Sequence, residues 1–166
     1  MNSIWSFFGN LIPYAEKHGI KIACENLFQV NKKGQVVDSV CSSPEEFNRY
    51  IDNIGSPHFT ACLDLGHCNV CGRDATDVIH IMSNRIGALH IHDNDGIADL
   101  HKLPGTVSMD WNGICKALAD TGYEGNFTFE VNGYLDGYSD DFVPTALKFL
   151  NDTGRHFISK IKSYQK

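Results

Sequence analysis

The sequence predicts an α/β fold in which four parallel strands alternate with helices, four βα units that amount to half of an eight-unit barrel. Three observations predict it. Short apolar, β-branched or aromatic runs recur at 20–26, 59–67, 86–94 and 126–131. Stretches of helical period, with their own start and stop residues, separate them. Each run also finishes on ionisable residues, the arrangement expected where parallel strands end at a functional face. Strands spaced by helices of this length argue for right-handed crossovers and a parallel sheet. Residues 1–166 read as a single partial-barrel domain, because a closed barrel takes roughly 250 residues. An open doubly wound sheet is the alternative, but no glycine-rich phosphate turn follows a strand.

The elements follow in order. A helix from Trp5 to His18 stops at Gly19 and leads into IKIACEN. Ser43-Pro44-Glu45-Glu46 is a helix start, in which Ser43 can cap, Pro44 suits the first turn and Glu46 can close a capping box. Phe47, Tyr50, Ile51 and Ile54 then share one face, and Gly55 ends the helix. FTACLDLGH is the second strand, followed by a helix from about Asp74 carrying Val78, Ile79 and Met82. IGALHIHDN is the third. After a polar loop, Asp110 caps a helix with Trp111, Ile114, Cys115 and Leu118 on one face, closing at Gly122. NFTFEV is the fourth strand, and a last helix is expected from about Phe142 to Ile161, with Asn151 to Gly154 as an interruption. Trp5 and Trp111 fall on apolar faces and read as core residues.

Composition narrows the function. The 166 residues carry 20 acidic and 14 basic groups, a net charge of −6, with 42% hydrophobic residues. That supports one core, and it argues against nucleic acid or an anionic membrane as a partner, since both need clustered Lys and Arg. No apolar run reaches the roughly 20 residues of a membrane span. MNSIWSFFGN has no basic leader or cleavage site, so a cytoplasmic location is expected. The six cysteines (24, 41, 62, 68, 71 and 115) do not form the pattern of a small secreted disulfide scaffold. Cys68 and Cys71 form a single C-x-x-C pair, for which reduced, inert thiols are the simpler reading than zinc.

The strand ends carry the chemistry. Glu25, then Asp64 with His67, then His90 and His92, then Glu130 lie at the four ends; Glu25, Asp64, His92 and Glu130 are separated by 39, 28 and 38 residues, each about one βα repeat. Neighbouring strands can therefore aim them into one mouth. Singly, a strand-end carboxylate serves as a cap or an ion-pair partner, and a strand histidine is satisfied by a hydrogen bond. Four in register point to a divalent ion, and three carboxylates with one imidazole suit a hard or borderline one. His90 and His92 share a side of their strand, which makes His90 a supporting partner. His18, His58, His80 and His156 lie away from the strand ends. Arg49, Arg73, Arg85 and Arg155 fall in or beside helices, so none is placed to clamp a phosphate.

The strings IACEN, CLDLGH, ALHIHDNDG, DLHKLPG, MDW and GYEGNFTFE resemble the last four βα units of the xylose-isomerase-like TIM barrel superfamily, and its sugar (phosphate) isomerases and epimerases above all. The similarity runs through most of residues 10–150. It implies one divalent ion (Mn²⁺ first, with Mg²⁺, Co²⁺ or Zn²⁺ as alternatives) held by Glu25, Asp64, His92 and Glu130. It further implies that Glu25 and Glu130 are the catalytic proton carriers, and that His67 contacts substrate. The substrate would be a small ketose or sugar phosphate, its proton moved through an enediolate that the ion stabilises; His67 or His101 could assist transfer between oxygens. A dehydratase or an aldose–ketose isomerase would use similar ligands. Two departures stand out: Val107 replaces a usual glycine in Pro104-Gly105-Thr106-Val107, and the first four strands of the barrel are absent. A half barrel exposes sheet edges, so a homodimer covering the open side is expected. Two alternatives stay open: a catalytically inactive, self-associating metal-binding half barrel, and an apurinic-endonuclease-like multi-zinc phosphodiesterase. In the latter, Asp99-Leu100-His101, with His67, supplies further ligands.

Overall fold

The computed structural model describes residues 3–165, with side chains from Ser6 onward. Helix α1 (Ser3–His18) leads into β1 (Ile22–Glu25), and a hairpin of β2 (Phe28–Val30) and β3 (Val36–Asp38) follows. Then come α2 (Pro44–Ile54), β4 (Phe59–Asp64), α3 (Leu65–Val70), α4 (Ala75–Met82), β5 (Ile86–His90), α5 (Trp111–Asp120) and α6 (Val143–Tyr164). The sheet has the order β1–β4–β5 and is parallel throughout. A fourth position is occupied beside β5, where Ile91 bridges Phe129 in parallel and Glu130 N–H donates to Ile91 O at 2.9 Å. This is an α/β chain with parallel strands and alternating helices, a partial barrel that does not close.

Local chemistry explains the helices. Ser43 Oγ accepts from Glu46 N–H at 3.3 Å, Pro44 opens α2, and Gly55 ends it at φ 62°. Glu46 does not complete the expected box; Ser43 Oγ donates to Glu45 Oε2 at 2.9 Å instead. Asp74 and Asp110 cap α4 and α5. Phe47, Leu63, Ile79, Met82, Leu89 and Ile114 are fully buried between sheet and helices. At about 1.5–3 kcal/mol for each large apolar side chain buried, this layer is what holds the strand ends in place.

Four expectations need correction. The run 126–131 is not a regular strand but a single bridge, since its partner edge is used only around Ile91. The run 59–67 stops at Asp64, whose side chain caps α3 and turns the chain into helix at once. The run 86–94 stops at His90. Helix α6 runs through Asn151–Gly154 unbroken; Gly154 lies on the buried face, and a Cβ there would come within 3.2 Å of the Phe129 ring, so the glycine allows a close helix–sheet approach. The hairpin β2–β3 was not foreseen. Trp111 is buried as expected, whereas the side chain of Trp5 lies outside the described residues. All six cysteines are free thiols, and Cys68 is buried with its Sγ–H on Asp64 O at 3.2 Å.

Within the described residues β1 has a strand neighbour on one side only. Large apolar side chains are exposed on α1 (Phe7, Tyr14) and α6 (Leu147, Phe149). No described helix is long and apolar enough to cross a membrane.

Candidate metal centre

The site is built where β1, β4, β5 and the 128–130 segment end. Asn26 ties the first two together: its Oδ1 accepts from Asp64 N–H at 2.7 Å and its Nδ2 donates to Asp64 O at 3.0 Å. Asp64, fully buried, accepts His67 N–H on Oδ1 at 2.7 Å, so the same carboxylate both starts α3 and faces the mouth. His92, also fully buried, rests on Gly66; a Cβ there would fall 1.9 Å from His92 Cε1. Only glycine leaves room for that ring.

The residue after it anchors the next loop. Asp93 is fully buried and accepts from Gly105 N, Val107 N and Trp111 Nε1 on Oδ2 at 2.9–3.1 Å. Its Oδ1 accepts from Ser108 N at 3.3 Å and Met109 N at 3.2 Å. Gly105 sits at φ 83°, and Val107 fits the loop while supplying one of these donors. A backbone bridge, with Asp93 N–H on Lys102 O at 2.7 Å and Lys102 N–H on Asp93 O at 3.0 Å, returns Asp99 and His101 over the mouth.

Three overlapping groups result. Glu25, Asp64, His90 and Glu130 bring ligand-capable atoms within 4.8 Å of one another. His92 groups with Asp64 and His67, and again with Asp99 and His101, in the same sense. Three of the four expected ligands, Glu25, Asp64 and Glu130, thus meet directly, with His90 among them. His92 joins through Asp64, its Nε2 lying 3.1 Å from Asp64 Oδ1 and 3.4 Å from Asp99 Oδ1. His67 and His101 both lie at the mouth. Each donates Nδ1–H to a carbonyl, His67 to Asn26 O at 2.8 Å and His101 to Glu130 O at 2.9 Å. Each turns Nε2 to Asp99 Oδ2, at 3.5 Å and 3.0 Å. Phe28 of the hairpin packs edge-on against His67, ring centres 5.1 Å apart.

The electrostatics match a cluster of carboxylates around imidazoles. Burial works against charge on His67, but the hydrogen bond to Asp99 and the charge of Asp64 outweigh it and push the ring up to about 9. His92 is raised for the same reason, burial being overcome by the contact and charge of Asp64. Asp64 is lowered: burial pushes it up, and His92 and His67 more than compensate. Asp99 is lowered against its burial by the three histidines, His67 foremost.

The donor set fits a cation. Asp64 Oδ2, both His92 ring nitrogens, Asp99 Oδ1 and Glu130 Oε2 are buried without an aligned hydrogen-bond partner. Native interiors leave few such atoms, and each costs about 1–3 kcal/mol if nothing takes it up. Carboxylate oxygens with imidazole nitrogens are ligands for a hard or borderline divalent ion.

Sequence reasoning placed the strand-end residues and passed over Asn26, Asp93 and Gly66. Asn26 and Asp93 directly follow an expected ligand, and Gly66 lies within Asp64–His67; that adjacency was the available signal.

The model for xylose isomerase-like TIM barrels matches residues 2–153. The chain belongs to this family. An uncharacterised protein of Methanocaldococcus jannaschii is 26% identical over 155 residues, covering 92% of this chain and 51% of that protein. The D-psicose 3-epimerase of Enterocloster bolteae is 30% identical over 122 residues, covering 65% and 38% respectively. The solved structure of an L-ribulose 3-epimerase superposes with a TM-score of 0.70 at 19% identity, covering 97% of this chain and 54% of that one. The chain therefore spans about half the length of relatives it matches, and sugar epimerases recur among them.

Proposed function

We propose that this chain carries the metal-binding half of a sugar isomerase or epimerase that acts on a small ketose or sugar phosphate by moving the proton beside its carbonyl. The meeting of Glu25, Asp64, His90 and Glu130, with His92 beside them on Asp64 and with buried carboxylate and imidazole atoms left without partners, supports the reading most directly. The family and the epimerases among its relatives support a sugar substrate.

Glu25, Asp64, His92 and Glu130 would hold the ion, with Mn²⁺ the first candidate. When bound, a divalent ion supplies positive charge to the substrate oxygens flanking the carbon that loses its proton. Glu25 and Glu130 come from opposite ends of the strand order. One can take the proton from one face of the carbon and the other return it on the second face, which inverts the centre. His67 and His101, with Nδ1 fixed by carbonyls and Nε2 facing Asp99, would line the place of the substrate oxygens. Exposed Phe7, Tyr14, Leu147 and Phe149 and the open edge of β1 support a second copy covering the unclosed side, and the mass in solution tests that.

The experiment is a screen of ketoses and their phosphates with the Mn²⁺-loaded chain. Glu25→Gln and Glu130→Gln are each expected to abolish exchange of the substrate proton with solvent. A loaded chain of dimer mass that exchanges no such proton would leave an inactive metal-binding half barrel. A second reading is favoured by Asp99 standing between His67, His92 and His101: a multi-zinc phosphodiesterase would use that group for further ions, and three zincs per chain would select it.

A further inference from the structure

Two of the six thiols meet at the base of the hairpin. Cys24 lies on β1, Cys41 lies just beyond β3, and their side chains are hydrogen-bonded to each other. The backbone brings them together. Leu27 N–H donates to Val40 O at 3.4 Å and the Ser42 hydroxyl donates to Leu27 O, so the chain leaving β3 returns beside the end of β1. Cys41 is buried at φ 64° in the core cluster against which Cys24 packs, and Cys24 itself is only half-buried. The remaining thiols are placed elsewhere. Cys62 pairs in register with Glu25 and shares its side of the sheet, so alternation puts Cys24 on the other side. Cys68 donates to Asp64 O, Cys71 lies beside Ser42 and Arg73, and Cys115 lies against Phe157 O at 4.0 Å.

We propose that Cys24 and Cys41 form a reversible disulfide under peroxide, a modification site that staples the β2–β3 hairpin to β1. Cys24, the more exposed of the two, attacks hydrogen peroxide; the O–O bond breaks, the sulfur becomes a sulfenic acid and one water leaves. Cys41 attacks that sulfur, the S–O bond breaks, the S–S bond forms and a second water leaves. Two thiols and one peroxide thus give one disulfide and two waters, and a small dithiol reverses the change by exchange. The bond closes a covalent ring over residues 24–41. Glu25, Asn26 and Phe28 lie inside it, and Phe28 is the side chain that packs edge-on against His67. A cross-link removes the open arrangements of the chain it closes. In the reduced chain the hairpin is held by backbone bonds and by the Arg73–Asp38 ion pair; in the oxidised chain its base is fixed covalently as well.

Trypsin separates the two thiols, because Lys32 and Lys33 lie between the arms of the hairpin. Residues 22–32 then carry Cys24, and residues 34–49 carry Cys41, each as its one cysteine. The test treats the purified chain with equimolar hydrogen peroxide, alkylates the remaining thiols and maps the digest by mass spectrometry. The expected result is a disulfide joining those two peptides, with two of the six free thiols lost and both changes undone by dithiothreitol. Amide hydrogen exchange across 28–38 should slow about tenfold or more in the oxidised chain. Cys24→Ser, checked for folding by thermal melting, should lose the linked pair, and Cys71→Ser should keep it. If Cys24→Ser does not fold, Cys71→Ser and the parent digest decide. Residues 34–49 joined to residues 50–73, which carry Cys62, Cys68 and Cys71, would overturn the pairing. So would six intact thiols after peroxide, or a sulfinic acid on Cys24. Unchanged hydrogen exchange in a correctly linked chain overturns the staple.

Discussion

Replacing Asp93 by Asn tests whether the loop over the mouth is held by one buried carboxylate. Asp93 Oδ2 takes three donors and Oδ1 takes two, and no part of the residue is exposed. In Asn, one oxygen becomes an NH₂ group that has nothing to accept with. The less costly orientation puts it at Oδ1, facing Ser108 N–H and Met109 N–H, so two hydrogen bonds to a charged acceptor are lost. The three bonds to Oδ2 also lose their charge assistance. At about 1.5–3 kcal/mol for each bond to a charged group, the substitution costs about 3–5 kcal/mol, a large part of the 5–15 kcal/mol that holds a typical domain folded. Urea unfolding should show a midpoint lowered to match, with an unchanged slope. The variant's Mn²⁺ affinity should fall too, because His92 is the preceding residue. A loss below about 1 kcal/mol would refute the argument that this carboxylate organises residues 105–111.

Three further outcomes follow from the same geometry. Gly66→Ala leaves the backbone of α3 acceptable but pushes the His92 ring out of its place, so Mn²⁺ affinity should drop at least about tenfold by calorimetry while the chain still folds. Asn26→Ala strips two hydrogen bonds from the buried backbone of Asp64, which should cost about 2–4 kcal/mol in urea unfolding. In the metal-free chain, His67 is raised from its unfolded 6.5 to about 9, so its stabilising contribution is complete below pH 6.5 and disappears as pH rises through 9. His67→Gln should flatten that limb of a melting-temperature profile.

Much of this architecture was legible because its signals are local. Ser43-Pro44 and Gly55 bracket α2 through capping bonds that need no tertiary partner, and Asp110 does the same for α5. The strand-end positions of Glu25, Asp64 and His92 were readable from the βα period. What the period could not carry was pairing. The 126–131 run has strand composition, yet only Phe129 finds a bridge, because pairing depends on where β5 ends. The hairpin at 28–38 had a visible cue in Asn31-Lys32-Lys33-Gly34, with Gly34 at φ 76°, but its short arms were overshadowed by the helix start at Ser43. Asp99 and His101 reach the mouth through a loop closed by the backbone bridge between Asp93 and Lys102, a pairing that no spacing rule encodes. The choice between His90 and His92 likewise depended on contacts, since both lie on one side of the strand.

The most direct test of the central claim is the metal content of the purified chain after saturation with Mn²⁺ and removal of excess, beside Glu130→Ala. One ion per chain, lost in the variant, is the predicted result. A chain that retains no ion, or a Glu130→Ala variant that retains it fully, would contradict the assignment of this mouth as a metal centre.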